Sequence, residues 1–172
     1  MGSLNDLIKQ QQKMLNKPEE EEKTEEVEQL VGFIIGEEEF AVPILSIQEI
    51  IKPIEWTRVP FVPEYVLGVF NLRGTVLPLI DLRKKFNAPS AEIDENTRFI
   101  VMKIQNENVA FVIDRLTSAI RIPKKYIAPP PETYNNEEEL ISGVGRLEEN
   151  RIITILNVDN LIKKEEIVPS KN

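Results

Sequence analysis

GVFNLRGTVLPLIDLRKKF, residues 68–86, is the stretch from which the fold is read. Gly68 to Leu72 and Thr75 to Ile80 are apolar runs rich in the branched and aromatic side chains that suit a pleated strand. Arg73-Gly74 joins them, with Gly74 able to adopt a left-handed backbone and Asn71 placed to hydrogen-bond the turn. A hairpin follows from this pattern. Asp81 then stands at the cap position of a short helix, Leu82 to Phe86, where a carboxylate accepts from the free N–H groups of the first turn.

Upstream, Gln29 to Ile35 and Glu38 to Val42 read as two strands joined by the polar bend Gly36-Glu37-Glu38. Pro43 to Glu49 reads as one helical turn, with Pro43 where its missing N–H costs nothing, and Glu49 to Ile54 as the next strand. Downstream the plan recurs. Placing residues 36–51 over 105–120 matches Glu38 with Glu107, Ala41 with Ala110, Ile44 with Ile113 and Ile51 with Ile120. Placing 75–86 over 151–162 puts apolar on apolar and sets Asp81 on Asn157, a second predicted cap. The offset grows from 69 to 76 residues, which fits an insertion near Pro129 to Asn135. Two copies of a unit of about 70 residues are expected, each closing into a small barrel because an open sheet of such short strands leaves edges exposed. Units this small bury too little surface to stand alone, so they are expected to pack together, with a groove along the seam. The expected organisation is an acidic tail at 1–27, one domain at 28–165 with halves near 28–95 and 96–165, and a short C-terminal tail at 166–172.

Composition narrows the function. The 172 residues include no cysteine and no histidine, which removes thiolate and imidazole chemistry, disulfides and histidine-held metals. Net charge is −8, the wrong sign for neutralising nucleic-acid phosphates. Half of it lies in Met1 to Gln29, where 4 Lys face 8 acidic residues, so the rest is only mildly acidic. No run approaches the ~20 apolar residues of a membrane span, and MGSLNDLIKQQQ lacks the form of a signal peptide, so a cytoplasmic protein is expected.

Asp81, Asp114 and Asp159 are the carboxylates from which a hydrolase would be built, but each sits where capping or solvation accounts for it. Gly143-Val144-Gly145 lacks the third glycine of a phosphate-binding loop, and Lys84-Lys85 and Lys163-Lys164 are too short for a nucleic-acid patch. Trp56 and Phe61, in a proline-punctuated loop, are read as core packing. Arg73, a planar and always charged donor on a tight turn, is a candidate for pairing with a carboxylate of a partner. Phe99 to Ile104 and Val109 to Ile113 are apolar on both strand faces, more than a barrel with one solvated face needs, and part of that surface is expected to be covered by another protein.

GVFNLRGTVLPLIDLRKKF, with FAVPILSIQEI (40–50), ENVAFVIDRLTSAIRI (107–122) and LISGVGRLEENRIITILNVDNLI (140–162), closely resembles the CheW family of bacterial chemotaxis coupling proteins. The resemblance spans about residues 29–163. It implies an all-β fold with short helices, made of two intertwined five-stranded SH3-like barrels around a hydrophobic seam. It also implies a non-catalytic cytoplasmic adaptor, free of cofactor and metal, that joins methyl-accepting chemotaxis receptors to the histidine kinase CheA in membrane-associated arrays. Receptor contacts carried over by motif position fall on Ile47, Glu49, Gly68 and Arg73, with Glu49 and Arg73 expected to bond each other across the seam when no partner is present. Kinase contacts are assigned to Val109, Phe111, Ile113 and Ile120. Where many members carry Gly in the strand NVAFVID, this chain has Ala110. Competing readings are a CheW-like scaffold for another two-component pathway such as motility or developmental signalling, a small barrel hydrolase using Asp81 and Asp114, and a nucleic-acid-binding barrel.

Overall fold

The computed structural model describes residue 8 and residues 26–89, 91–132, 139–148 and 150–163; the tail readings, apart from residues 8, 26 and 27, and residues 133–135 of the expected insertion lie outside these. The first half supplies β1 (Val27–Ile35), β2 (Glu38–Pro43), β3 (Ile47–Ile51), β4 (Val66–Leu72) and β5 (Thr75–Asp81), followed by the one-turn helix α1 (Leu82–Lys85). The second supplies β6 (Arg98–Ile104), β7 (Glu107–Ile113), β8 (Arg115–Pro123), β9 (Ile127–Ala128), β10 (Ile141–Arg146) and β11 (Ile152–Leu156). The helical turn expected from Pro43 to Glu49 is a three-residue 3₁₀ turn, Ile44–Ser46, so β3 begins two residues earlier than its apolar run suggests. Asp81 caps α1 as expected, its Oδ1 accepting from the Arg83 N–H at 2.9 Å. Asn157 does not cap: the turn after it, Val158–Asn160, is 3₁₀ and has no side-chain cap bond.

The strands interleave. One sheet runs β3-β6-β7-β5-β4 and the other β8-β1-β2-β11-β10-β9, so each half of the chain contributes to both sheets. Each half sends its first two strands into the barrel completed by the other half. The parallel contacts that result carry the repeat in their register. Leu79 lies opposite Ala110, and Ile155 lies opposite Ala41. Shifting Leu79 by 76 and Ala110 back by 69 converts the first pair into the second, so both sequence offsets recur in the hydrogen-bonded register. Short β9 makes the second sheet six-stranded; the single bridge Thr57–Val69 holds the equivalent place in the first.

Alternation along these strands divides the interior into three. Phe70, Leu77, Leu79, Phe99, Val101 and Ala110 fill the first barrel, and Leu30, Ala41, Ile120, Ile122, Ile153 and Ile155 the second. Their neighbours of opposite parity, including Phe33, Phe40, Ile80, Ile100, Met102, Val109 and Phe111, meet between the barrels in the largest cluster. β6 and β7 are therefore apolar on both faces because one face lines a barrel and the other the seam. Each such side chain contributes roughly 1.5–3 kcal/mol through removal from water. The expectation that another protein covers them is corrected: the covering surface is the second barrel of the same chain.

Candidate functional site

The NLRG turn is a two-residue connection, Leu72 pairing with Thr75. Both central residues take left-handed backbone, Arg73 at φ 51° and Gly74 at φ 89°, the conformation that matches the twist of a hairpin. Gly74 donates its N–H to Asn71 Oδ1 at 2.8 Å, the bond expected of that asparagine. The turn points Arg73 at Glu49 on β3. Nη1 donates to Oε1 at 2.7 Å and Nη2 to Oε2 at 2.9 Å, a bidentate fork. The pairing expected from the resemblance is present, but its setting differs. Both residues belong to the first sheet, whose edges are β3 and β4, so the pair closes one barrel and does not cross the seam.

Most of the Arg73 side chain remains in solvent, 72% against 29% for Glu49. The guanidinium's hydrogen bonds, ahead of opposing desolvation, hold the Glu49 carboxyl below its usual pKa, and the carboxylate's bonds raise that of Arg73. An exposed pair of this kind adds little to stability. What it does offer is a charged donor and acceptor, pre-oriented and accessible.

Ile47 is half-buried against the seam core. Gly68 is buried, and a Cβ added there would lie 2.1 Å from the Thr57 carbonyl oxygen. Its place is therefore beneath the β3–β4 loop, which is clamped by Thr57 N–H to Val69 O at 2.8 Å and Val69 N–H to Thr57 O at 2.9 Å. Gly68 seats a loop; it presents no surface of its own. Around these residues the first barrel exposes large apolar side chains that the sequence patterns did not single out for binding, notably Leu45 at 93% and Val76 at 61%.

The second barrel repeats the clamp with different chemistry. Arg151, in the β10–β11 turn, donates Nε to Glu39 Oε1 at 2.7 Å and Nη2 to Ser118 Oγ at 3.0 Å. Ser118 is the equivalent of Glu49 by the 69-residue offset. Thr117 also donates to Glu39 at 2.6 Å, and the Arg151 bond is the chief reason that the Glu39 carboxyl titrates below its usual value despite partial burial.

Other assignments are corrected. Val109, Phe111 and Ile113 are fully buried in the seam and Ile120 is 5% exposed inside the second barrel, so none can present itself to a kinase. Their apolar pattern is that of a two-sided core strand. Trp56 packs edge-on to Phe99 at 6.2 Å, as expected, but Phe61 is 85% exposed. Asp81 is occupied by its cap, while Asp114 pairs with the buried Arg83 and accepts from the Gly36 N–H at 2.7 Å, tying the β1–β2 turn of one sheet to α1. Gly145 packs where a Cβ would press on Ile122 and Ile153. A cleft of about 860 Å³ between the β1–β2 turn, α1 and Leu140-Ile141 lies apart from Glu49 and Arg73. Among the described residues no group of three acidic side chains is placed to hold a metal, and no helix is long and apolar enough to cross a membrane.

Comparison with known proteins agrees with this fold. The family model for the CheW-like domain matches residues 29–166. The chemotaxis protein CheW of Helicobacter pylori is 48% identical over 164 residues, covering 95% of this chain and 98% of that protein. That of Bacillus subtilis is 32% identical over 138 residues, covering 80% and 88%. The crystal structure of the scaffolding protein TtCheW from Thermoanaerobacter tengcongensis superposes with a TM-score of 0.75 at 26% identity, covering 83% of this chain and 99% of that one.

Proposed function

The chain belongs to the CheW family and is a chemotaxis adaptor, and on that premise we propose that it works by binding two partners at once, a methyl-accepting receptor tip and the regulatory domain of the kinase CheA. The observation that carries the receptor half is the exposed bidentate Glu49–Arg73 pair at the end of the first barrel. Ile47 and the loop seated on Gly68 flank it. A partner that offers Arg73 a carboxylate exchanges one fork for another. Recruitment to receptor arrays then follows from binding and needs no membrane segment. The kinase half falls to the exposed barrel ends, where Val76 and Ile152, equivalent by the 76-residue offset, stay 61% and 52% exposed. Kinase output follows receptor state because the adaptor's binding free energies differ between states, which requires no catalytic group.

The test is a binding assay of the full chain with a receptor tip and with a CheA regulatory domain, separately and together, for wild type, Arg73→Glu and the double variant Arg73→Glu with Glu49→Arg. Arg73→Glu is expected to abolish receptor binding while sparing the kinase, and the double variant to restore nothing. Restored receptor binding in the double variant would show that only the internal pairing matters.

A further inference from the structure

Seven described residues other than glycine have positive φ, and six of them, Arg73, Asn87, Gln105, Asn106, Glu139 and Asn150, are polar. The seventh is Phe61, at φ 63°. A bulky apolar residue in left-handed backbone is a true outlier, since its Cβ crowds the following carbonyl. Burial does not account for it, because Phe61 is 85% exposed. The loop is pinned on both sides of it: Trp56 packs on the first-barrel core, Thr57 is bonded to Val69, Val62 packs on the seam core, and Val66 N–H donates to Pro63 O at 2.9 Å. Pro60 and Pro63 stiffen the tip. Glycine or asparagine would meet the backbone geometry with less strain, so the fold itself has no use for a phenyl ring there. Strain that is retained without a packing return is characteristic of functional positions.

We propose that Phe61 is an apolar anchor of the receptor-facing surface, inserting into an apolar pocket on the receptor tip. This rests on the reading of Glu49 and Arg73 given above. The choice of occupant follows from continuity: the Thr57 carbonyl covers Gly68 and Thr57 bridges Val69, so the loop that carries Phe61 is fastened to the β4 strand leading to Arg73. A rigid aromatic ring is a residue type enriched at the core of protein interfaces.

Phe61→Asn keeps a residue tolerant of this backbone and removes the ring. The full chain, as wild type, Phe61→Asn and Arg73→Glu, is titrated with a soluble receptor tip and with a kinase regulatory domain, while melting and sedimentation equilibrium report folding and self-association. Phe61→Asn is expected to weaken receptor binding by about tenfold or more, to leave kinase binding and the sedimenting mass unchanged, and to hold or raise Tm. Receptor affinity within about twofold of wild type overturns the anchor, as does a loss confined to the kinase or to self-association, or a clear fall in Tm that would mark Phe61 as a packing residue. If Arg73→Glu loses the receptor while Phe61→Asn keeps it, the anchor alone is wrong. If wild type itself binds no receptor tip, both readings fall.

Discussion

Gly68→Ala isolates what the glycine does. The added Cβ would stand 2.1 Å from Thr57 O, 2.7 Å from Thr57 C and 3.1 Å from Arg58 Cα, all backbone atoms that cannot rotate aside as the end of a side chain can. The loop must lift, and the Thr57–Val69 bridge breaks with it. Two backbone hydrogen bonds, now 2.8 and 2.9 Å, are lost. At about 0.5–1.5 kcal/mol each, the cost is about 1–3 kcal/mol, which for a chain of this size lowers Tm by roughly 2–12 °C. Amide exchange at Thr57 and Val69 should speed up while exchange in β6 and β7 does not. Receptor binding should fall as well, through displacement of the loop that carries Phe61. Loss of receptor binding with Tm and both amides unchanged would refute this reasoning and make Gly68 a direct contact.

Phe111→Ala tests the reassignment of the apolar strand β7: it is expected to destabilise by about 3–5 kcal/mol in urea unfolding, while kinase affinity, measured where the variant is folded, stays unchanged. The pH dependence of stability is set in part by Glu39, whose folded pKa lies below its ordinary 4.5 because of Arg151. A depressed carboxylate contributes stability above the unfolded pKa and loses it as pH falls through the folded one. The Tm advantage of wild type over Arg151→Gln should therefore be constant above about pH 5 and shrink below the ordinary carboxylate range; an advantage that persists to the acid limit contradicts the assignment.

Local chemistry made much of this structure legible. The NLRG hairpin and the Asp81 cap are properties of neighbours in sequence, the two repeat offsets follow from overlaying one half of the chain on the other, and each appears at the expected residues. What could not be read was the interleaving. A run such as Val109 to Ile113, apolar on both parities, says that both faces are covered but not by what; a partner protein and a second barrel of the same chain leave one pattern. The same gap hid the setting of the Glu49–Arg73 pair, which depends on β3 and β4 being the two edges of one sheet. Phe61 was misread because aromatic residues beside prolines usually pack, and only the backbone angle and exposure separate the exception. Asn157 was misread as a cap because its offset partner Asp81 is one, although the turns that follow differ.

The two clamps show why receptor binding is expected to be confined to one barrel end. Arg151 engages two side-chain groups, Ser118 and a Glu39 that is itself held by Thr117, and Glu39 is only 11% exposed. Withdrawing Arg151 would strand a partly buried carboxylate, a cost that grows as water is excluded. Arg73 engages one carboxylate, and both ends of that pair remain accessible. Releasing it leaves Glu49 hydrated. Corresponding hairpins of a duplicated fold thus carry a fixed clamp in one barrel and an exchangeable one in the other, and only the exchangeable one can offer its guanidinium to another protein without loosening the barrel. The net gain on binding is then a difference between two similar forks, which limits affinity and favours release, as a reversible signalling contact requires.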